Sequence, residues 1–383
     1  MAKDMTVALL SRPHDPTMKG TGVQRYAFDL CRGLREHGIH VIHPAETSVG
    51  RMKVTRARAY GSPMGLIFVD ILAPLECLVR HRSDLKEGGI VHIVDVLQGL
   101  LTPIICRFIT KNVIVTMYDL GLYLHPNVAG KARVRDRVWQ ACFRLAMQVS
   151  ARHSKVIAAL STQTAEEVIR VLGARNIAVL NPAIGDEFFS GPREQWGGGD
   201  RRIIGCVGAL TPRKRLDKAL RTFHYLKSIT SVPCNLVISH PILRSGQEPL
   251  HRELEQLSSK LGVSNDVVFT SAFSGQDMPT QYASFDVLWH PSAYEGFGLP
   301  VIEAQANGLP VILWKDSILP AEVKAKALQA KDDEEAALFT HKLLTDAQFY
   351  ARKSAESHAY SKNFSQEKMI RRVIEAYETT RGS

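Results

Sequence analysis

Short apolar runs alternate with amphipathic, helix-length stretches along almost the whole chain, and this alternation restricts the fold more than any other feature. In the first half "MTVALL", "GIHVI", "GIVHIV" and "NVIVTM" have the character of strands. "VQRYAFDLCRGLREHG" lies between the first two and has a helical stripe that stops at Gly38. In the second half the strands are "RRIIGCVGAL", "CNLVISH", "VVFTSAF", "DVLWHP" and "PVILW". Strands separated by helices pair in parallel and are covered on both faces, so an α/β chain is expected. Between the halves, "NPAIGDEFFSGPREQWGGGD" loses the periodicity, which marks a linker at about Asn181 to Asp200. A length of 383 residues suits two domains, each with its own core. The expected division is residues 1–185 and 186–364, both Rossmann-like, with a C-terminal helix over 365–383 packing back on the first domain. Such a pair is expected to face a central cleft, with ligand at the C-terminal ends of the strands.

The composition, 45% hydrophobic and 22% charged, belongs to a soluble globular protein without low-complexity tracts. "MAKDMTVALLSRP" has a short apolar run and no small-residue cleavage site, so it is read as a first strand, and a cytoplasmic location is expected. Cys31, Cys77, Cys106, Cys142, Cys206 and Cys234 are widely spaced and form no CxxC pair, the pattern of reduced thiols without disulfides or zinc. The most apolar stretch, Gly61 to Val79, is interrupted by Asp70, Pro74 and Glu76 and makes a poor membrane span. Basic charge is concentrated early: the first 190 residues carry 24 Lys and Arg against 16 acids, the remainder 24 against 22. Within Lys131 to Lys155, Lys131, Arg133, Arg135, Arg137, Arg144, Arg152 and Lys155 face only Asp136. Val134, Val138, Trp139, Phe143 and Leu145 are interleaved with them. A basic amphipathic helix of this kind suits anionic lipid or nucleic acid, or is simply a solvated face.

"SAYEGFGLPVIEAQAN" follows the strand "DVLWHP" and forms a glycine turn and a helix headed by Pro300. Free amides at a helix start attract an anion, and Gly296 and Gly298 permit close approach of a ligand to the backbone. Carboxylates accept paired hydrogen bonds from sugar hydroxyls, so Glu295 before the loop and Glu303, expected in the first helical turn, suit two sugars flanking a phosphate bridge. Dipole complementation alone is the other reading of Glu303.

The run "YASFDVLWHPSAYEGFGLPVIEAQANGLPVI" resembles the signature of glycosyltransferase family 4, retaining enzymes of the GT-B fold with two glutamates separated by seven residues. "MKGTGVQRYAFDLCRGL", "SKVIAALSTQTAEEVIRVLG" and "LPAEV" extend the resemblance over nearly the whole chain. It implies an acceptor-binding first domain and a nucleotide-sugar-binding second domain. It further implies that Glu303 holds the nucleotide ribose, that Glu295 contacts the transferred sugar, and that the amides of Gly296, Phe297, Gly298 and Leu299 hold sugar and phosphate. In "CVGALTPRKRLDKAL" the resemblance gives Lys214 first and Arg213 second as cations for a departing diphosphate. Gly20 and Gly22 match the glycine loop that approaches donor phosphate or acceptor. No Asp-x-Asp occurs, so a metal-chelating site is missing in its usual form, and no cofactor is expected. Three positions depart from the pattern: Tyr118 stands where relatives carry histidine, and Ala209 and Ala183 replace an arginine and a glycine. Tyrosine keeps a donor hydroxyl, so Tyr118 remains a candidate.

The resulting expectation is a metal-independent, retaining hexosyltransferase that uses a nucleoside-diphosphate sugar, GDP-mannose first and UDP-sugars second. Its acceptor would be a saccharide or lipid-linked precursor of bacterial surface polysaccharide, reached from an anionic membrane surface. A catalytically silent sugar-nucleotide-binding protein is one rival. A nucleic-acid binder is the other, although no RNA-binding or helix-turn-helix motif accompanies the charge.

Overall fold

The computed structural model describes residues 5–11, 22–46, 72–95, 102–124, 134–197, 199–240, 247–270 and 278–382. These form two compact units. One holds the described residues up to Leu124, those from 134 to Ala183 and those from Gln366 onward; the other runs from Ile184 to Ser365.

In the first unit the strands are β1 (Thr6–Leu10), β2 (His40–Ile42), β3 (Ile90–Ile93), β4 (Val113–Met117), β5 (Val156–Ala159) and β6 (Ile177–Val179). They pair in parallel in the order β2-β1-β3-β4-β5-β6. Every residue of β3 and β4 is buried, as in parallel strands covered on both faces. Helix α1 (Gly22–Glu36) buries Tyr26, Leu30 and Leu34 as one stripe, spaced at one turn. The basic stretch forms helix α2 (Val134–His153), which seats Ala146 and Met147 in the core and leaves Leu145 exposed. Gly20, Lys131 and Arg133, together with the side chains of Arg135, Arg137 and Trp139, fall outside the described residues. The C-terminal helix (Gln366–Gly382) belongs to this unit: the buried Tyr377 hydroxyl meets His92 Nδ1 at 2.7 Å, and His92 Nε2 meets Thr116 Oγ1 at 2.7 Å.

The second unit holds β7 (Arg202–Val207), β8 (Cys234–Ser239), β9 (Val267–Thr270), β10 (Val287–His290), β11 (Val311–Trp314) and β12 (Leu328–Ala330). All are parallel, in the order β12-β11-β10-β7-β8-β9. Numbered within the unit this is the 3-2-1-4-5-6 order of a Rossmann sheet, and it reverses between β7 and β10. Helix α3 (Leu216–Ile229) follows β7, α4 (Met278–Ser284) precedes β10, and α5 (Leu299–Ala306) joins β10 to β11. Trp289 and Trp314 meet edge-to-face in the core, and their indole nitrogens donate to Thr340 Oγ1 and Asp333 Oδ1, both at 2.9 Å.

From Ile184 onward, the stretch expected to be a linker is instead part of the second unit. Ile184 pairs with Ser365, Phe188 is buried, and Trp196 Nε1 donates to the Leu343 carbonyl at 2.6 Å. Arg193 donates to the carbonyls of Phe285 (2.6 Å), Tyr282 (3.0 Å) and Asn307 (3.1 Å). Irregular backbone lies against a core only where partners satisfy it: Ile184 N donates to the Phe364 carbonyl at 2.8 Å, Arg193 N to Ser354 Oγ at 2.6 Å and Gly197 N to Asp286 Oδ1 at 2.8 Å. The division therefore falls between Ala183 and Ile184, two residues before the expected position.

Candidate active site

The loops leaving β7 and β10 meet at the point where the strand order reverses, the position at which open parallel sheets bind ligands. After β7 the chain passes through Gly208, at φ 153°, where a Cβ would come within 2.8 Å of Lys214 Cε. The missing side chain is the space Lys214 occupies. Pro212–Lys214 then make one 3₁₀ turn, and Arg215 adopts φ 46°, the one non-glycine residue in the left-handed region among those described. That conformation costs about 1–2 kcal/mol. It is held by the Arg215 side chain, which donates to the Pro291 carbonyl, to Asp316 Oδ2 at 2.7 Å and to Ser317 Oγ at 2.7 Å. Backbone bonds complete the join: Ala293 N to Arg213 O (2.8 Å), Ile318 N to Ala293 O (2.8 Å) and Glu295 N to Ile318 O (3.0 Å).

This frame brings Glu295, Lys214 and Arg213 together. Lys214 Nζ lies 2.6 Å from Glu295 Oε1, and Arg213 Nη1 lies 2.6 Å from Oε2. Ser292 Oγ donates to Oε1 at 2.7 Å, and His290 Nε2 approaches the same oxygen at 3.4 Å. Burial alone would raise the Glu295 pKa, but Lys214, His290 and Arg213 hold it well below the usual carboxylate range. Burial lowers the His290 pKa; the two cations add to that, and Glu295 opposes it.

The glycine turn follows. Gly298 has φ 104° and gives α5 no side-chain cap. The amides of Phe297 and Gly298 donate to no group among the described residues, which leaves a positive helix start open to an anion. The Phe297 side chain is not part of this opening: it is buried and meets Phe364 edge-to-face at 5.6 Å, so only its backbone is available. Glu303 lies in the second turn of α5 rather than the first, is buried, and accepts a hydrogen bond from the Tyr282 hydroxyl on α4 at 2.9 Å.

Two candidates lie in the other unit. Gly22 opens α1. Tyr118 follows β4 with its ring edge-on to Tyr26 at 5.9 Å, its hydroxyl buried without a hydrogen-bond partner among the described residues and its pKa raised by that burial. A phenol so placed stays neutral and faces the core. His290, Ser292, Tyr282 and Arg215 were not singled out from the sequence. His290 and Ser292 stand beside the motif in "WHPS" and were open to notice there; Tyr282 and Arg215 gain their roles only through tertiary contact.

Residues 193–360 match the family model of glycosyl transferases group 1. That segment resembles a glycosyltransferase domain. The matched segment contains both glutamates, both cations and the open turn. Over 283 residues, 70% of each chain, the protein is 25% identical to O-antigen chain mannosyltransferase B of Escherichia coli. It is 30% identical over 138 residues to the GDP-mannose-dependent alpha-(1-6)-phosphatidylinositol monomannoside mannosyltransferase of Mycolicibacterium smegmatis, a match that spans 34% of each chain. The fold is similar to that of sucrose-phosphate synthase from Thermosynechococcus elongatus, with TM-score 0.74, 16% identity and 98% of both chains covered. Two Rossmann-like units in one chain with this likeness constitute the GT-B architecture.

Proposed function

We propose that the chain is a retaining, metal-independent hexosyltransferase of glycosyltransferase family 4 that moves mannose from GDP-mannose to a saccharide or lipid-linked acceptor in bacterial surface polysaccharide synthesis. The observation that carries the reading is the cluster at the β7–β10 reversal: two cations, two carboxylates and an open helix start within one domain that matches glycosyl transferases group 1. The mannosyltransferase relatives support the choice of sugar, and the second of them supports the guanine nucleotide.

In this reading Lys214, Arg213 and the turn amides take the diphosphate, which gathers negative charge as the glycosidic bond lengthens. Glu303 holds ribose hydroxyls, with Tyr282 fixing its second oxygen. Glu295, held ionised, is suited to hydroxyl binding and to stabilising an oxocarbenium-like sugar rather than to donating a proton. The acceptor hydroxyl attacks from the face of the departing phosphate, whose oxygen takes the proton. We assign acceptor binding to the first unit and membrane attachment to α2. The positive charge supplied by Lys214 and Arg213 supports turnover in EDTA.

The test has two parts. Ligand-observed NMR against GDP-, UDP- and ADP-sugars reads the base, and product analysis with the bound donor, with and without EDTA, reads the anomeric configuration and the metal requirement. Inversion at the anomeric carbon, or loss of activity in EDTA restored by magnesium or manganese, would overturn the mechanism. Binding without turnover would favour the second reading, a silent sugar-nucleotide-binding protein, to which the core-facing Tyr118 lends support.

A further inference from the structure

The two cations assigned to the diphosphate are both engaged by one carboxylate: Lys214 on Glu295 Oε1 and Arg213 on Oε2, each at 2.6 Å. An incoming nucleoside diphosphate carries more negative charge than Glu295 and competes for both. Once they are drawn toward it, Glu295 is left buried with the Ser292 hydroxyl as its remaining strong contact, and a buried carboxylate without a positive partner is unfavourable. A second group is already in place. His290 ends β10, is 2% exposed, and carries Nε2, which is buried and has no hydrogen bond among the described residues, at 3.4 Å from Oε1. The charged groups facing its ring are Glu295, Lys214 and Arg213.

We propose that His290 is a positioning residue that takes over the Glu295 carboxylate when a nucleoside diphosphate draws off Lys214 and Arg213, accepting one proton from solvent and donating its Nε2–H to Oε1. The inference rests on the reading of the site as a diphosphate site. Glu295 stands in for the diphosphate in the empty site. The imidazolium stands in for the cations in the filled one, so the carboxylate keeps its place against the sugar throughout. With both cations on Glu295, their charge and the burial of the ring keep His290 neutral; with them on the ligand, the balance at the ring reverses. The proton returns to solvent when the nucleotide leaves.

The experiment follows the imidazole nitrogens of the full-length chain, labelled with ¹⁵N-histidine, during titration with GDP and, separately, UDP at about pH 7.5, a range in which an unperturbed histidine is mostly neutral. His290 is expected to be neutral in the free protein and an imidazolium in the saturated complex. Nucleotide affinity should weaken by up to about tenfold per pH unit on raising the pH above about 7, where the terminal phosphate is already ionised. In His290→Gln that dependence should flatten. An imidazole that stays neutral in the saturated complex overturns the inference alone and leaves the diphosphate site standing, as does a His290→Gln variant with an unchanged pH slope. Failure of both nucleotides to bind the original protein overturns the diphosphate site and this inference with it.

Discussion

At the scale of single residues, the candidate site is a set of charges held in place by their neighbours. Lys214 fits because Gly208 has no side chain, and Glu295 stays ionised because Lys214 and Arg213 flank it. Glu295→Ala and Lys214→Ala are each expected to lower turnover by at least about tenfold, since either removes more than about 1.4 kcal/mol of transition-state stabilisation. Steady-state kinetics with near-original rates in both variants would sink the assignment. Tyr282→Phe removes the hydroxyl that orients Glu303 and should weaken nucleotide binding by several-fold, about 1 kcal/mol for one hydrogen bond. If Glu303 holds the ribose, calorimetry should show a smaller loss for the 2′-deoxy nucleotide. The two glutamates and the basic pair were legible in the sequence, because a strand, a glycine turn and a proline-headed helix fix where they emerge. Their pairing with one another was not. Lys214 and Glu295 are 81 positions apart and meet only because β7 and β10 are neighbours in the sheet.

At the scale of elements, the central strands were legible because burial on both faces makes them continuously apolar. Of the edge strands, β2 and β9 were legible in "GIHVI" and "VVFTSAF", but β6 is half-buried throughout and β12 is three residues long, so neither of those two carries a distinctive pattern. The C-terminal helix is attached to the first sheet through Tyr377, His92 and Thr116, which gives it a pH dependence. Burial pushes the His92 pKa down to about 3, so below about pH 6.5 the unfolded chain binds a proton that the folded chain does not. Stability from this residue is therefore intact above about pH 6.5 and declines by up to about 1.4 kcal/mol per unit as the pH falls toward 3. Urea melts of His92→Asn should show a lower plateau near neutrality and a shallower acid decline than the original protein; parallel declines would refute the assignment.

At the scale of the whole molecule, the excess of basic residues belongs to the first unit's sequence, and no described helix is long and apolar enough to cross a membrane. Surface attachment through α2 would then rest on charge, at on the order of 1 kcal/mol per Lys or Arg close to an anionic bilayer, weakened by salt. Exposed Leu145 is available for such a contact, while Ala146 and Met147 on the opposite side fasten the helix to its sheet. Changing Arg133, Arg135 and Arg137 together to Gln should abolish sedimentation with anionic liposomes and leave nucleotide binding intact. Unchanged sedimentation, or none by the original protein at low salt, would favour a soluble acceptor. The chain also has a topological property that follows from the parallel bridge between Ile184 and Ser365. The second unit begins and ends at the same place, so it is nested within the first like a parenthesis, and the first unit resumes at Gln366 after an interruption of 182 residues. Domains whose ends adjoin tolerate insertion and exchange. Splicing at the two junctions Ala183–Ile184 and Ser365–Gln366 would therefore replace the second unit as one cassette, leaving the sheet that holds His92 and the helix that carries Tyr377 within one continuous host.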